Sequence, residues 1–257
     1  MKQENASLRK LAMVLEYDGS NYCGFQYQSN APTIQDQIEM ALAKVCGVKV
    51  RIKGASRTDS GAHALAQVIE FVTDIGHEAK VWTDALNYYL PWDIKIQTTY
   101  DMPLEFDSRG DAIARTYRYS ILNRENPSPI LYNRTAWIKQ ELDLQNMRKA
   151  AKSLVGTHDF KLLCGQVPEG KSTCRKVERW DIWKEGEVIV IESEANAFLP
   201  HQIRRTNGVL VEIGKNYISP KTIQELLEGS IIGHRSFPSL PAKGLCLMEI
   251  RYKDQIS

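Results

Sequence analysis

The side chains best suited to chemistry lie in one short loop, residues 54–64. The loop reads Gly-Ala-Ser-Arg-Thr-Asp-Ser-Gly-Ala-His-Ala. Arg57 lies two residues before Asp59, and a nearby cation favours an ionised, nucleophilic carboxylate. Gly54 and Gly61 allow the backbone to turn tightly or to approach a ligand closely. These residue types are compatible with a catalytic loop in which Asp59 is a candidate nucleophile.

The same loop also fits a plain turn. Asp and Ser side chains hydrogen-bond their own backbone and Gly adopts positive φ, so residues 58–61 have an ordinary turn composition. Composition alone favours this interpretation. The flanking segments place the loop between two strands, because Val48–Lys53 alternates apolar and charged residues and Gln67–Val72 follows as a second extended run. Catalytic groups often lie on loops held in this way.

The elements around the loop follow a strand–helix–strand–strand–helix–strand pattern. The first predicted strand is Leu11–Tyr17. Thr33 can cap a helix that Gly47 ends, and Pro91 stops a second helix. Asp93–Thr98 is predicted as the strand that closes the pattern.

The C-terminal half has a comparable pattern. A strand covers Arg115–Ile121, a helix capped by Asp143 covers Leu142–Val155, and a final strand covers Leu245–Tyr252. Between them, Arg179–Trp183 and Val188–Glu192 are predicted as a hairpin.

Two comparable halves, each on the order of 100–150 residues long, favour two related units over a tandem repeat of short modules. The predicted fold class is α+β, with two related sheet-plus-helix units. The N-terminal domain is predicted at 8–105 and carries the Asp59 loop, and the C-terminal domain is predicted at 106–257.

The composition excludes several classes of protein. The chain has 257 residues, is 43% hydrophobic and has a net charge of +2, so a nucleic-acid-binding face must come from local clustering. Five cysteines without a C-x-x-C pair argue against a disulfide framework or a zinc site and fit a reducing cytoplasm. Met1–Lys10 lacks an apolar signal-peptide core, so no signal peptide is predicted. The sequence contains no run of 18 apolar residues, so no membrane span is predicted. Motifs for nucleotide cofactors or metals are absent, so no cofactor is expected.

One local cluster of basic residues has two interpretations. A charge run is usually a solvated face, but in a nearly neutral chain it is also a candidate phosphate contact. Both interpretations remain open for the cluster, which consists of Lys171, Arg175, Lys176 and Arg179.

The Asp59 loop resembles the signature of the TruA-type tRNA pseudouridine synthases. In that family the loop reads roughly G-R-T-D-A-G-V-H-A around a nucleophilic aspartate, and here it reads S-R-T-D-S-G-A-H-A. The departures are Ser56, Ser60 and Ala62. None of them removes a charged group, so the resemblance assigns the nucleophile to Asp59.

Further motifs extend the resemblance from Leu11 to Tyr252. A Y-D-G segment begins at Tyr17, a strand with the pattern R-x-Y-x-Y carries Tyr117, and a segment similar to F-L-x-x-M-V-R carries Arg204. Of the family's F-H-A-R-F motif, Phe106 and Arg109 match. Asp107 and Gly110 replace the histidine and the second phenylalanine, and a carboxylate at position 107 is expected to repel phosphate.

The resemblance implies ferredoxin- or RRM-like units around a central active-site cleft, and isomerisation of uridine to pseudouridine at positions 38, 39 and 40 of the tRNA anticodon arm. It implies tRNA as the partner, a cytoplasmic homodimer, and neither cofactor nor metal. Asp59 would act as nucleophile or as a base on the ribose, Arg204 would pair with its carboxylate, and Tyr117 would stack on the base and assist proton removal from C5. The expected RNA contacts are Arg57, Arg109, Lys171 and Arg175, with Tyr117 against the target base.

Two other classes remain as alternatives. A non-catalytic RNA-binding module would bind tRNA without releasing the C5 proton of uridine, although Asp59, Tyr117 and Arg204 together argue against it. An aspartate-nucleophile phosphoryl-transfer enzyme would need acidic Mg²⁺ ligands near Asp59, and the local sequence offers none.

Overall fold

The computed structural model describes residues 8–230 and 237–253. Residues 1–7 of the Met1–Lys10 stretch lie outside the described residues, as do 231–236 and 254–257 of the predicted C-terminal domain. The described residues contain ten strands and five α-helices, so the fold is mixed α+β, as predicted. In chain order the elements are β1 Arg9–Tyr17, α1 Ile34–Cys46, β2 Lys53–Gly54, β3 His63–Thr73, α2 Ala79–Tyr89, β4 Ile94–Met102, β5 Ala112–Asn123, β6 Ala136–Ile138, α3 Leu144–Ala151, β7 Gly156–Asp159, β8 Cys174–Glu185, β9 Val188–Ala195, α4 Gln202–Gly214, α5 Thr222–Leu227 and β10 Leu245–Tyr252.

The chain divides into two compact units. Within the described residues, the first unit contains 8–113 and 247–253, and the second contains 114–230 and 237–246. The sequence-based domains, 8–105 and 106–257, stay a prediction, because compactness does not test where an independently folding domain ends. Among the helices of the described residues, none combines the length and apolarity needed to cross a membrane.

Strand β1 organises the first unit. It pairs antiparallel with β3 on one side and with β4 on the other, and its Leu11, Met13 and Leu15 are fully buried. β10 lies beside β3. The short β2 pairs antiparallel with β3, with Lys53 opposite Glu70. The Asp59 loop therefore joins two strands that are directly paired.

Both helices predicted for this part of the chain are confirmed. Thr33 caps α1 through its side-chain oxygen, and Gly47 ends the helix in the left-handed region at φ 73°. On α2, Trp82 is fully buried, and its ring centroid lies 5.4 Å from that of Phe71 on β3. Ile34, Ile38 and Leu42 of α1 are buried, as are Trp82 and Leu86 of α2, so one apolar face of each helix packs against the interior.

The predicted strand Val48–Lys53 is wrong for most of its length, because β2 covers only Lys53–Gly54. The backbone of Ile52 bonds to side chains of α1 instead of a neighbouring strand. Oε1 of Glu39 accepts from the Ile52 amide at 3.2 Å, and Nε2 of Gln35 donates to the Ile52 carbonyl at 3.3 Å. A tertiary contact has overridden the local alternation.

The second unit contains an antiparallel sheet in the order β5–β9–β8–β7, and β6 pairs parallel to β5. The predicted hairpin is confirmed as β8 and β9, with Gly186 at φ 58° in the connection. β8 begins at Cys174, five residues before the predicted start at Arg179. Arg175, Lys176 and Arg179 therefore lie on a strand.

Helix α3 is shorter than the predicted Leu142–Val155. Asp143 caps it, since its Oδ1 accepts from the amides of Gln145 and Asn146 at 2.9 and 3.0 Å. The α-helix ends at Ala151 and continues as a single 3₁₀ turn over Lys152–Leu154. Tightening of the last turn in this way is common at helix ends.

Candidate active site

Within the 54–64 stretch, residues 55–62 connect β2 to β3. This connection, the Asp59 loop, is anchored at its start by Gln67. Gln67 is fully buried on β3. Its Nε2 donates to the Ser56 carbonyl at 2.7 Å, and its Oε1 accepts from the Ser56 amide at 3.2 Å. Because one side chain satisfies both backbone groups of Ser56, the loop leaves the sheet in a fixed direction.

The backbone of the loop does form a turn. The Ala62 amide donates to the Asp59 carbonyl at 3.0 Å, and Gly61 adopts φ 79°. The Asp59 side chain itself is half-buried, whereas the neighbouring Thr58 is buried and bonds the Tyr17 hydroxyl at 2.8 Å. The turn thus holds a partly accessible carboxylate on a well-packed base.

A second loop, residues 18–25, packs against the Asp59 loop. Gly24, at φ 91°, lies so close that a Cβ there would be 2.9 Å from the Thr58 carbonyl oxygen. The Phe25 amide donates to this same oxygen at 3.2 Å, and the Gly61 amide donates to the Tyr22 carbonyl at 3.2 Å. The sequence analysis missed this contact, because two loops about 40 residues apart show no shared local pattern.

Gly19 makes the closest approach between the two loops. A Cβ at this position would lie 1.9 Å from the Ala62 carbonyl oxygen. The Gly19 amide nitrogen is 3.2 Å from Nδ1 of His63. The same His63 Nδ1 is also 3.1 Å from a carboxylate oxygen of Asp18. His63 is buried, so its contacts fasten the two loops together.

Two predicted RNA contacts, Arg57 and Arg109, lie near each other in the first unit. Both residues are exposed. Burial of part of the Arg57 side chain, and then repulsion by Arg109, lower the pKa of the Arg57 guanidinium. Two neighbouring cationic side chains are a candidate contact for an anion such as a phosphate.

The carboxylate that was expected to repel phosphate, Asp107, is paired. Lys53 Nζ donates to it at 2.5 Å. That hydrogen bond, with those from the amides of Gly110 and Arg109, lowers the pKa of Asp107 to about 2. Asp107 is therefore ionised at neutral pH, with a cation opposing its charge.

Tyr117 lies in the second unit, on β5 opposite Ser193 of β9. It is only 5% exposed, and its ring meets the half-buried Phe198 edge-on at a centroid distance of 5.4 Å. Tyr119 shares the face of β5 with Tyr117. Burial raises the pKa of Tyr119, and the nearby Arg204 opposes that rise. Arg204 therefore lies on the side of β5 that carries Tyr117.

Arg204 is held at the first turn of α4. Its Nε donates to the Leu240 carbonyl at 2.7 Å, and its Nη1 is 3.4 Å from Nδ1 of His201, which adopts φ 57°. Gly208 lets the backbone at Pro238 pack closely against α4, because a Cβ at position 208 would be 1.9 Å from the Pro238 carbonyl oxygen. The guanidinium is thus oriented by backbone and side-chain partners within one unit.

The basic cluster separates into paired and less paired members. Arg179 is held by Glu192 at 2.7 Å and by Glu194 at 3.0 Å, and Lys176 is held by Glu178 at 2.8 Å. Arg175 donates to the backbone carbonyls of Ser172 and Cys174. Lys171 is exposed and makes no ion pair within residues 8–230 and 237–253.

Carboxylate partners also alter the titration of Arg179. Burial lowers the pKa of its guanidinium, but the hydrogen bonds to Glu192 and Glu194 outweigh that effect and raise the pKa. Its charge is therefore already opposed within the sheet. The phosphate-binding role stays a prediction, and the geometry favours Lys171 and Arg175 for it.

The first unit holds a half-buried carboxylate on a supported loop, and the second unit holds a buried tyrosine and an oriented guanidinium. In the part of the chain that the structure describes, no group of three or more His, Cys, Asp or Glu side chains is placed to hold a metal ion. Asp59, Arg57 and Arg109 belong to the first unit, whereas Tyr117, Arg204, Lys171 and Arg175 belong to the second.

Comparisons with known proteins identify the family. A family model described as tRNA pseudouridine synthase matches residues 13–109 and 150–253. The tRNA pseudouridine synthase A of Geobacter sp. (strain M21) is 37% identical over 248 residues, which are 96% of this chain and 100% of that protein. The protein of the same name from Acetivibrio thermocellus is 37% identical over 245 residues, which are 95% of this chain and 100% of that protein.

Among solved structures, a chain of a Cbf5-Nop10-Gar1 complex matches with 9% identity and a TM-score of 0.35. The match covers 94% of this chain and 60% of that chain. The family match and the two relatives confirm the resemblance found in the sequence: the chain belongs to the TruA-type tRNA pseudouridine synthases and is an isomerase that acts on tRNA.

Proposed function

We propose that this enzyme converts uridine to pseudouridine at positions 38, 39 and 40 in the anticodon arm of tRNA, with Asp59 as the nucleophile. The observation that carries the proposal is the placement of Asp59. Its side chain is half-buried on a turn that Gln67 anchors and the 18–25 loop supports. A nucleophile held in this way needs little reorganisation before it reacts.

The reaction is an isomerisation and its atoms balance within the substrate. The bond between uracil N1 and ribose C1′ breaks, the uracil turns, and a bond forms between C5 and C1′. C5 loses a proton and N1 gains one, so nothing is oxidised or reduced. Asp59 forms the transient covalent bond to the nucleotide and is released as a carboxylate when C5 joins the ribose.

Tyr117 and Arg204 complete the proposed catalytic set. Tyr117 presents an aromatic ring for stacking on the uracil, and its hydroxyl assists removal of the C5 proton. Arg204 pairs with the Asp59 carboxylate during the reaction. The contacts of Arg204 with Leu240 and His201 support this role, because a guanidinium that is already oriented loses less entropy when it pairs.

The target base must leave the stack before Asp59 can reach it, and basic side chains must hold the RNA while it does. We assign this task to Arg57 and Arg109 in the first unit and to Lys171 and Arg175 in the second. The exposure of Arg57, Arg109 and Lys171 supports the assignment.

The assignment of the basic cluster predicts a change in salt dependence. Replacing Lys171 or Arg175 with methionine should reduce the slope of log affinity for tRNA against log salt by about 0.7 to 0.9 per lost phosphate contact. Turnover of bound tRNA should change little. Lys176→Met is the matched control, since Glu178 already opposes its charge. Slopes equal to that of the wild type for both variants would make the cluster a solvated face.

We also propose a homodimer located in the cytoplasm, where its tRNA substrate is modified. The exposed aromatic side chains of the described residues, such as Tyr88, Trp92 and Tyr132, support the dimer because aromatic residues are enriched in interfaces. Light scattering at micromolar concentration should give twice the chain mass of 29.2 kDa. A mass of one chain alone would contradict the dimer.

The reaction itself is tested by tritium release from tRNA labelled at C5 of uridine. The proposed enzyme must release the label, because C5 loses its hydrogen when it joins the ribose. A protein that binds the tRNA but releases no tritium would be an RNA-binding module, and the proposed function would be wrong.

A further inference from the structure

The turn at residues 107–110 is fastened to both strands that bound the Asp59 loop. Lys53 of β2 and Glu70 of β3 are directly opposite each other at the base of that loop. Lys53 Nζ donates to Asp107 at 2.5 Å, and the Glu70 carboxylate accepts from the Ser108 amide. The Tyr252 hydroxyl donates to the Ser108 carbonyl at 2.6 Å. The turn is thus docked on one cross-strand pair and on β10.

Asp107 also organises the turn internally. Its Oδ1 accepts from the amides of Arg109 at 2.9 Å and Gly110 at 2.8 Å. The Asp107 amide donates to the Asp111 side chain at 2.9 Å, and the Asp111 amide donates back to the Asp107 carbonyl at 2.9 Å. These bonds fix the backbone on both sides of Arg109, and so they fix the direction from which its side chain leaves.

The base of the docking site is buried. Ser108 is fully buried and Glu70 is 7% exposed. A buried carboxylate is costly unless it is paired and hydrogen-bonded. Glu70 finds its partners in the Ser108 amide and in Lys10, whose Nζ lies 3.8 Å away and also donates to the Phe106 carbonyl at 2.6 Å. The buried Glu70 carboxylate therefore depends on the docked turn for one of its hydrogen-bond partners.

We propose that Asp107 and Glu70 are positioning residues for RNA binding, which hold the Arg109 turn at the base of the Asp59 loop so that Arg109 meets a backbone phosphate of the tRNA. The proposal rests on the proposed function for its ligand. Arg57, on the Asp59 loop, and Arg109 then form one phosphate site whose two halves are joined by the Lys53–Asp107 ion pair. The turn couples the place where the RNA is held to the loop that carries the nucleophile.

The direction in which tRNA affinity changes in Asp107→Ala separates a positioning role of Asp107 from that of a surface carboxylate that repels RNA. If Asp107 is only a surface carboxylate near RNA, Asp107→Ala removes a repulsion and tightens tRNA binding. If Asp107 positions Arg109, the same change releases the two amides and Lys53, and the affinity falls. We expect the dissociation constant to rise about tenfold, the effect of losing one hydrogen bond to a charged group.

Two variants provide the comparison within the experiment. Asp107→Asn keeps an oxygen that can accept from the Arg109 and Gly110 amides but loses the charge that pairs with Lys53, so it should restore part of the affinity. Asp84→Ala is the matched control, since Asp84 is an exposed carboxylate on α2 paired with Lys80 at 3.4 Å. Removing it should leave the affinity unchanged or slightly improved.

The decisive measurement is the dissociation constant of tRNA for wild type, Asp107→Ala, Arg109→Ala and the double variant, with melting temperatures to verify folding. The proposal expects Asp107→Ala to cost about tenfold in the wild-type background and nothing further once Arg109 is absent. Binding that tightens in Asp107→Ala, or a loss of equal size with and without Arg109, would overturn it.

This outcome is independent of the chemical reaction. The affinities are measured by binding, and the pseudouridine yield of the wild type is measured separately. A wild-type protein that binds tRNA but forms no pseudouridine would contradict the proposed function, while the four dissociation constants would still decide the role of Asp107.

Discussion

Replacing Asp59 with asparagine is expected to reduce turnover to background while tRNA binding persists. An amide has nearly the shape of the carboxylate but cannot replace it as a nucleophile. A general acid–base group is typically worth about a hundredfold or more in rate, and the loss of a nucleophile should cost at least that. Affinity should survive or improve, because tRNA is held mainly by cations on its phosphates and one negative charge is removed.

The competing interpretation of Asp59, a turn residue without chemistry, predicts a different result. Asparagine serves well in turns, so Asp59→Asn would then keep its activity and lose little stability. Asp84→Asn, which changes an exposed carboxylate on α2, is the control for the loss of charge. Pseudouridine yield, tRNA affinity and melting temperature are measured on both variants. Retention of turnover within about tenfold of wild type would contradict the catalytic assignment.

Gly19→Ala is expected to lower turnover by about a hundredfold through the Asp59 loop. The new Cβ would lie 1.9 Å from the Ala62 carbonyl oxygen, so the 18–25 loop or the Asp59 loop must move by more than 1 Å to relieve the contact. The Ala62 amide also donates to the Asp59 carbonyl, so a shift of Ala62 is transmitted to Asp59, the proposed nucleophile. A misplacement of about 1 Å commonly costs about a hundredfold in rate, and the overpacking should also destabilise the fold by about 1 to 3 kcal/mol.

Gly76→Ala is the matched control for this prediction. Both glycines avoid the left-handed region, but a Cβ at Gly76 meets no atom within 4 Å. In the same assay, the control should keep full activity. Because alanine restricts the unfolded chain, the change should also stabilise the fold by up to about 1 kcal/mol. Steady-state turnover and the urea midpoint decide the comparison. Equal activity of Gly19→Ala and Gly76→Ala would show that the contact between the loops does not position Asp59.

Elements whose limits are set by residues nearby in the sequence could be predicted from the sequence. The caps of α1, Thr33 and Gly47, act within a few residues of the helix ends, so their types alone marked its limits. The segment 48–53 failed for the opposite reason. Its backbone partners are the side chains of Gln35 and Glu39 on α1, which alternation along the strand cannot reveal.

The candidate site shows the same division. Arg57 and Asp59 could be found because they lie within one loop with a recognisable pattern. The support from Gly19 and the docking of the Arg109 turn could not be found, since both depend on contacts between distant segments. The sequence does show Gln67 and Glu70 as polar residues within a mainly apolar strand. This pattern was a signal of such contacts, because polar side chains that are buried, as both are, require partners.

Register across the sheet explains a further difference. The sequence shows Arg179 as one of four basic residues in a cluster, but β8 pairs with β9 so that Arg179 faces Glu194. Cross-strand pairs of opposite charge are visible only when the register is known. The cluster therefore looked more uniform in the sequence than it is in the fold.

The central claim is tested most directly by mapping pseudouridine in tRNA that has been treated with the purified protein. We expect pseudouridine at positions 38, 39 or 40 of tRNAs that carry uridine there, and none with the Asp59→Asn variant. Unmodified tRNA, pseudouridine only outside the anticodon arm, or equal modification by Asp59→Asn would contradict the proposed function.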